Sequence, residues 1–501
     1  MDYKQMSGIK SSFKWGILYL LIGLTCLSAC KIPSQAPKPN VIYILTDQWR
    51  ASAFGYTGDP NVKTPHIDRL AEEAVSFANA VSVTPVCTPH RASLLTGRYP
   101  TTTGMFLNDI YLPNQELCMA EIFKEAGYQT GYLGKWHLDG HGRLNNVDPE
   151  RRQGFDYWKA LECSHNYNRM LYYENDDPKV KTWEGYSPYA LAEDANQFLT
   201  QQTESQDPFL LVVSIATPHF PHASAPEKYK NLYPPSELIL APNVPAESEA
   251  KVREELQGYY AHCTATDVAI GSILNKLKEL NLWENSIIVF TSDHGEMMGA
   301  HGIRPYTKQL AWDESIKVPF LISYPGIQEN KGAVVQAPIN TPDILASLLG
   351  LAGIPIPESV EGEDLSWLIK APTPKQDRAA LVMNICPFTR EYAYPEYRAV
   401  RTKQYTYVRT LEGPSVLFDN LTDPYQMNNL LDHPDLAQTQ QSLDRELMAA
   451  LDRIGDDFQP RDHYLNKWNL RLDSSRNAIN YWDFKEGKGI VQTPRKVDIL
   501  P

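Results

Sequence analysis

Five short apolar runs, each separated from the next by helix-like stretches, constrain this chain more than any other feature. They are Val41–Leu45, Thr130–Leu133, Phe209–Ile215, Ser286–Phe290 and Phe320–Ser323. Runs this short and this uniformly apolar suit parallel strands buried on both faces. Between them the periodicity predicts helices around Ile67–Val75, over Met119–Ala126 with Gly127 as the stop, and along Glu254–Leu280. Such alternation predicts an α/β fold, a large and mostly parallel central sheet sandwiched by helices. Reactive side chains fall where the strands end: Asp47 and Gln48 after the first, Lys135 and His137 after the second, His219 after the third, Asp293 and His294 after the fourth. Open α/β sheets bind ligands beyond the carboxyl ends of their strands, so one sheet edge would collect all of these groups.

The texture changes near residue 376. Tyr392–Arg401, Gln404–Arg409 and Val416–Phe418 alternate as antiparallel strands do, and a polar helix is expected over Asp435–Ile454. The 501 residues therefore divide on this reading into a leader (1–30), a proline-rich tether (31–39), a catalytic domain (40–375) and a C-terminal α+β subdomain with tail (376–501). In the leader, Lys4, Lys10 and Lys14 precede an apolar run from Trp15 to Leu27 and the ending Leu27-Ser28-Ala29-Cys30. A basic start, a short apolar core and small residues describe a secretory signal. Its ending resembles the bacterial lipobox, which implies lipid on Cys30 and a periplasmic or outer-membrane place in the cell envelope. Lipid on Cys30 is then the expected contact with a membrane. A net charge of −13 repels a nucleic-acid backbone, so no nucleic-acid partner is expected. The seven cysteines show no close metal-ligand spacing, and the sequence selects no disulfide pair.

One segment stands apart: Cys87-Thr88-Pro89-His90-Arg91, continuing to Thr96-Gly97. Pro89 suits a first helical turn, Leu94 and Leu95 can face a core, and Gly97 suits a C-cap. Residue 87 would then project from a helix N-terminus, where the backbone dipole and Arg91 both favour an anion. Read alone, Cys87 is better taken as a small buried thiol near a turn, the usual place of a lone cysteine. The segment resembles the type I sulfatase signature, Cys-x-Pro-x-Arg followed by x-x-x-Leu-Thr-Gly, of the alkaline phosphatase superfamily. The likeness extends to Thr46-Asp47-Gln48, Gly134-Lys135-Trp136-His137-Leu138, Pro218-His219, Ser292-Asp293-His294-Gly295-Glu296, and Lys308 ahead of Glu314 and Val318-Pro319.

That resemblance implies an alkaline phosphatase-like fold and hydrolysis of a sulfuric ester. Cys87 would be converted to formylglycine by a maturation enzyme and become the nucleophile. Asp47, Gln48, Asp293 and His294, with residue 87, would hold a divalent ion: calcium, with manganese or magnesium as alternatives. Arg91 would hold the aldehyde hydrate, His137 would assist sulfate elimination, Lys135 and Lys308 would clamp sulfate oxygens, and His219 would protonate or stabilise the leaving sugar oxygen. Gln48 and His294 depart from the commoner sulfatase pattern and match that of phosphonate monoester hydrolases, which gives phosphonate or phosphodiester cleavage as a second reading. A catalytically dead, lipid-anchored binder of sulfated glycans is a third. The stretch 139–190 mixes aromatic and hydrogen-bonding side chains: His141, Arg143, Asn145, Trp158, His165, Asn166, Tyr167, Arg169, Tyr172, Tyr173 and Trp183. With His222, His301 and Arg304 it supplies candidates for reading a sulfated saccharide.

Overall fold

The computed structural model describes residues 37–205, 207–373, 377–389, 394–473 and 478–479. The signal, Cys26, Cys30 and most of the tether lie outside the described residues, as does the end of the chain from residue 480. Among the described residues no helix is long and apolar enough to cross a membrane.

In chain order the main strands are β1 (Asn40–Asp47), β2 (Val75–Phe77), β3 (Gln129–Lys135), β4 (Tyr157–Leu161), β5 (Arg169–Glu174), β6 (Asp177–Glu184), β7 (Phe209–Pro218), β8 (Ser286–Ser292), β9 (Phe320–Ser323) and β10 (Val334–Val335). They form one ten-stranded sheet in the order β10-β2-β9-β8-β1-β7-β3-β4-β5-β6. Its centre, β8-β1-β7-β3-β4, is parallel throughout. The run at Phe320–Ser323, expected as another parallel strand, is antiparallel to both β8 and β2. It enters from the short helical turn Asp313–Ile316 rather than from a crossover helix, so it runs back along the sheet.

Alternate residues of the central strands feed two separate cores. Val41, Tyr43, Leu45, Val212 and Val289 face one; Ile42, Ile44, Val213, Ile288 and Phe290 face the other. Period-two packing on both faces explains why these strands read as continuous apolar runs. The principal helices are α1 (Pro65–Glu73), α2 (Cys87–Thr96), α3 (Met119–Glu125), α4 (Ser187–Gln202), α5 (Glu249–Glu279), α6 (Thr341–Ala352) and α7 (Ala437–Arg453). Helix α1 ends two residues before its expected stop, because Val75 is taken into β2.

The region 139–190, named above for its saccharide-reading candidates, supplies β4, β5 and β6 to the sheet edge. Trp158 is fully buried against Tyr132 and Trp136, and Trp183 stacks on Tyr172 with ring centroids 4.3 Å apart. Both tryptophans are core residues, so they do not read a sugar. A four-stranded antiparallel sheet follows: β11 (Ala380–Asn384), β12 (Tyr397–Arg401), β13 (Tyr405–Thr410) and β14 (Gly413–Asp419), with α7 packed on it. Strand β11 was not expected from the sequence. It is anchored to the body of the molecule by hydrogen bonds from Met383 N to the Val83 carbonyl and from Asn340 Nδ2 to the Leu381 carbonyl.

Candidate active site

Strand register brings the polar ends together. Thr46 pairs with Ser292 across β1 and β8, so Asp47 and Asp293 leave adjacent strands side by side. On the other flank the β1–β7 register shifts between Thr46 and Asp47, where the strand turns out of the sheet. Lys135 closes β3. The preceding Gly134 adopts φ +99°, and a Cβ there would lie 2.0 Å from the Ser214 carbonyl oxygen. Only glycine allows β3 to approach β7 this closely while aiming Lys135 at the site.

Cys87 opens α2, all of whose residues are buried, and Gly97 caps the other end in the left-handed region as the sequence suggests. Metal-capable atoms of Asp47, Cys87, Asp293 and His294 all lie within 4.8 Å of one another, every residue buried. Cys87 Sγ is 3.3 Å from His294 Nε2 and 3.7 Å from Asp47 Oδ1. Burial and Asp47 push this thiol up, but Lys135, Lys308 and His294 more than offset them and hold it well below the ordinary thiol range.

The cations are arranged in two tiers. Arg91 lies beneath: its Nη2 bridges Asp47 Oδ2 at 3.2 Å and Asp293 Oδ2 at 3.1 Å, and its Nη1 donates to the Lys135 carbonyl and the Ser214 hydroxyl. It offsets the repulsion between two buried carboxylates. Lys135 Nζ donates to Asp47 Oδ2 at 2.5 Å. Burial works against the charge on Lys135, but Asp47 outweighs it and the lysine pKa is raised. Lys308 lies within 3.2–3.3 Å of Gln48 Oε1, Cys87 Sγ, His219 Nε2 and His294 Nε2.

The donor set fits a divalent cation. His294 Nδ1 donates to the Gly295 carbonyl at 2.9 Å, which leaves the Nε2 lone pair facing the cluster. Gln48 Nε2 donates to Glu296 Oε2 at 2.5 Å, so its Oε1 is the atom presented to the site. The acceptors already converge on one positive group, the Lys308 ammonium. Oxygen atoms from Asp47, Gln48 and Asp293 suit hard cations, and one imidazole nitrogen is compatible with the same site.

His137 follows β3 with φ 59° and is fixed through backbone pairing to the Glu162 carbonyl. Glu162 in turn accepts the N–H groups of Leu138, Asp139 and Gly140, and its own carboxyl is pushed up to about 7 by burial and by Asp139. His219 Nδ1 donates to the Phe220 carbonyl at 2.8 Å, and its ring stacks on His165 at 4.6 Å. Burial and Lys308 hold the His219 pKa well below the usual imidazole value. In this state it is a neutral acceptor for Lys308.

Of the residues singled out from the sequence, Asp47, Gln48, Cys87, Arg91, Lys135, His137, His219, Asp293, His294 and Lys308 gather at one edge of the sheet. Asp109, Glu162, Ser214 and Glu296 support them and carried no assigned role; of these, Glu296 alone stood inside a quoted motif. Tyr167, a saccharide candidate, instead donates its hydroxyl to the Phe220 carbonyl behind His219. His301 stacks on Trp312, and its Nε2 lies 3.2 Å from Asn243 Nδ2.

His222, two residues beyond Phe220, is held at 3.1 Å by Glu255 of α5, which also accepts from Lys251. Burial raises the Glu255 pKa, but His222, Lys251 and Tyr306 outweigh it and bring the group down to about 2. A depressed carboxyl contributes stability that is full above its unfolded value of about 4.5 and disappears as pH falls through about 2. Glu255→Gln is therefore expected to cost about 1–2 kcal/mol at pH 7. Thermal melts of both proteins between pH 7 and pH 3 check this: the gap should narrow steadily below pH 4.5, and a gap independent of pH would contradict it.

A mostly parallel sheet that delivers two carboxylates, an imidazole and a helix-borne cysteine to one edge is the architecture of the alkaline phosphatase-like hydrolases. The Sulfatase family model matches residues 39–354, and the model for the C-terminal region of N-sulphoglucosamine sulphohydrolase matches residues 299–453. The chain belongs to the sulfatase family. It is 64% identical over 474 residues to an ulvan-active sulfatase of Formosa agariphila, covering 94% of this chain and 93% of the relative. It is 31% identical to an endo-4-O-sulfatase of Bacteroides thetaiotaomicron, covering 87% of this chain and 97% of that one. Among solved structures, yidJ of Bacteroides fragilis, described as a candidate sulfatase, superposes with a TM-score of 0.77 at 31% identity, covering 87% of this chain and 99% of that one.

Proposed function

We propose that this sulfatase removes O-sulfate from ulvan or a closely similar sulfated glycan, using formylglycine at position 87 and a divalent cation. The observation that carries the reading is the buried convergence of Asp47, Cys87, Asp293 and His294 beneath Lys135 and Lys308. The 64% identity to an ulvan-active sulfatase supports the substrate class.

Asp47, Gln48, Asp293 and His294 would hold the cation. Bound there, it would neutralise ester charge and favour the ionised nucleophile. Lys135 and Lys308 orient the sulfate oxygens. A hydroxyl of the formylglycine hydrate gives its proton to the Asp293 carboxylate beside it as its oxygen bonds to sulfur, and the bond from sulfur to the sugar oxygen breaks with its electron pair on that oxygen. Lys308 and His219 lie on that side, and they stabilise the oxygen by hydrogen bonding and pass it a proton. The low pKa of His219 suits an accepting and relaying group more than one that stores a proton at neutral pH. The other hydrate hydroxyl then gives up its proton to His137, the aldehyde C=O re-forms, and sulfate departs with the electrons of its C–O bond. Export and attachment through lipid on Cys30 would place this chemistry where extracellular glycan arrives.

The test is sulfate release from a panel of 2-, 3-, 4- and 6-O-sulfated saccharides, with an aryl sulfate and a phenyl phosphonate alongside. The enzyme is first shown by mass spectrometry to carry formylglycine at 87. Release from one saccharide at least about tenfold faster than from the others is expected, since a hydrogen-bonding pocket discriminates at that level or better. A chelator should abolish release and calcium restore it. Cleavage of the phosphonate with no sulfate release from any ester would overturn the proposal.

A further inference from the structure

His137 is held from one side only. Its Nε2 donates to Asp109 Oδ1 at 3.2 Å, while its Nδ1 is buried with no hydrogen-bond partner. The ring stands against the Cys87 side chain. Asp109 is itself locked: Arg143 reaches both of its oxygens, Nε to Oδ1 and Nη2 to Oδ2, each at 2.7 Å. Asp109 and His137 are both almost fully buried, whereas Arg143 is partly exposed. Thr88, next to residue 87, donates its hydroxyl to the His137 carbonyl at 2.9 Å and its backbone N–H to Asn108 Oδ1 at 3.0 Å. The segment 108–109 thus holds both the start of α2 and the ring of His137.

An imidazole that donates one N–H to a carboxylate presents a lone pair on its other nitrogen. We infer that Asp109, braced by Arg143, is a positioning residue that fixes His137 with its proton on Nε2 and its Nδ1 lone pair toward the side chain of residue 87. The inference rests on the formylglycine reading and assigns the step it serves. After the sugar has left, the sulfated hydrate retains one hydroxyl. His137 Nδ1 takes that proton, the C–O pair closes to the aldehyde, and the C–O bond to sulfate breaks. Asp109 accepts from the resulting imidazolium and is not itself protonated. Before sulfur is attacked, this arrangement contributes little.

Asp109 therefore separates two products. Asp109→Asn tolerates the backbone at φ 63°, as Asp does. The amide oxygen can keep the Oδ1 place, which accepts from both His137 Nε2 and Arg143 Nε, but the carboxylate charge that supports the imidazolium formed when His137 takes the proton is lost. With an aryl sulfate and rapid quench, the variant should release about one phenol per enzyme in a burst and then turn over about 10²–10⁴-fold more slowly than wild type. The sulfo group should remain on residue 87 by mass spectrometry. Arg143→Gln, at the partly exposed end of the relay, should show the same split more weakly and guards against a folding defect in the first variant.

Loss of phenol and sulfate release in equal measure, with no burst and no retained sulfo group, would overturn the role of Asp109. Wild-type steady-state turnover in Asp109→Asn would do so too. Wild-type enzyme carrying formylglycine that releases neither product would instead overturn the hydrolytic reading itself, so the two failures are distinguishable.

Discussion

Cys87→Ala is expected to lower sulfate release by about 10⁴–10⁶-fold, the range seen when a covalent nucleophile is removed from an otherwise intact site. The fold should hardly notice. Cys87 is 1% exposed at the first turn of α2, and alanine is the better helix former there. Its Sγ makes polar contacts to His294, Asp47 and Lys308. A stability change within about 1 kcal/mol is therefore expected. Initial-rate assays on the fully matured protein, paired with thermal melting, separate the two effects. Retention of even a few per cent of activity would contradict a nucleophile at this position. A collapse of the melting temperature would mean that the thiol packs rather than reacts.

The largest stability effect is expected far from the chemistry. Arg398 of β12 is fully buried, with Nε donating to Asp456 Oδ2 at 2.5 Å and Nη2 to Tyr464 Oη at 3.1 Å. Tyr464 closes the triangle by donating to Asp456, and the guanidinium lies 4.7 Å from the centroid of Phe458. This group ties the antiparallel sheet to the segment that follows α7. Asp456→Ala leaves a buried guanidinium without its counter-charge, and about 3–5 kcal/mol of stability should be lost. Removing both partners, as in Arg398→Met with Asp456→Ala, should recover much of it, because the uncompensated charge goes too. Denaturation midpoints of the two variants check this. A loss below about 1 kcal/mol in Asp456→Ala, or no recovery in the double variant, would show that the pair is better solvated than its burial implies.

The central sheet was legible because buried parallel strands carry an unambiguous apolar signature and their reactive residues come directly after them. Asp47, Lys135 and Asp293 needed no more than strand order to be placed together. The reversal of Phe320–Ser323 was not legible, since an apolar run of four says nothing of direction. Nor was the strand character of 157–184, where charged and aromatic residues on a half-exposed sheet edge look like a loop. Asp109 stands in no motif and reaches His137 from a loop 28 positions earlier, a relation that only the fold creates. Glu296 sat in plain view, but its task depends on which way the Gln48 amide points.

That amide has a consequence for how the family's sequences can vary. Gln48 and Glu296 share one short hydrogen bond across 248 positions of chain. The carboxyl group missing from position 48 stands behind it on Glu296, where burial pushes its pKa up. A carboxylate at 48 would lose this donor and face the Glu296 carboxyl directly, so a change at 48 is felt at 296. The two positions behave as one letter of the sequence, written in two parts, and a change at either is readable only beside its counterpart.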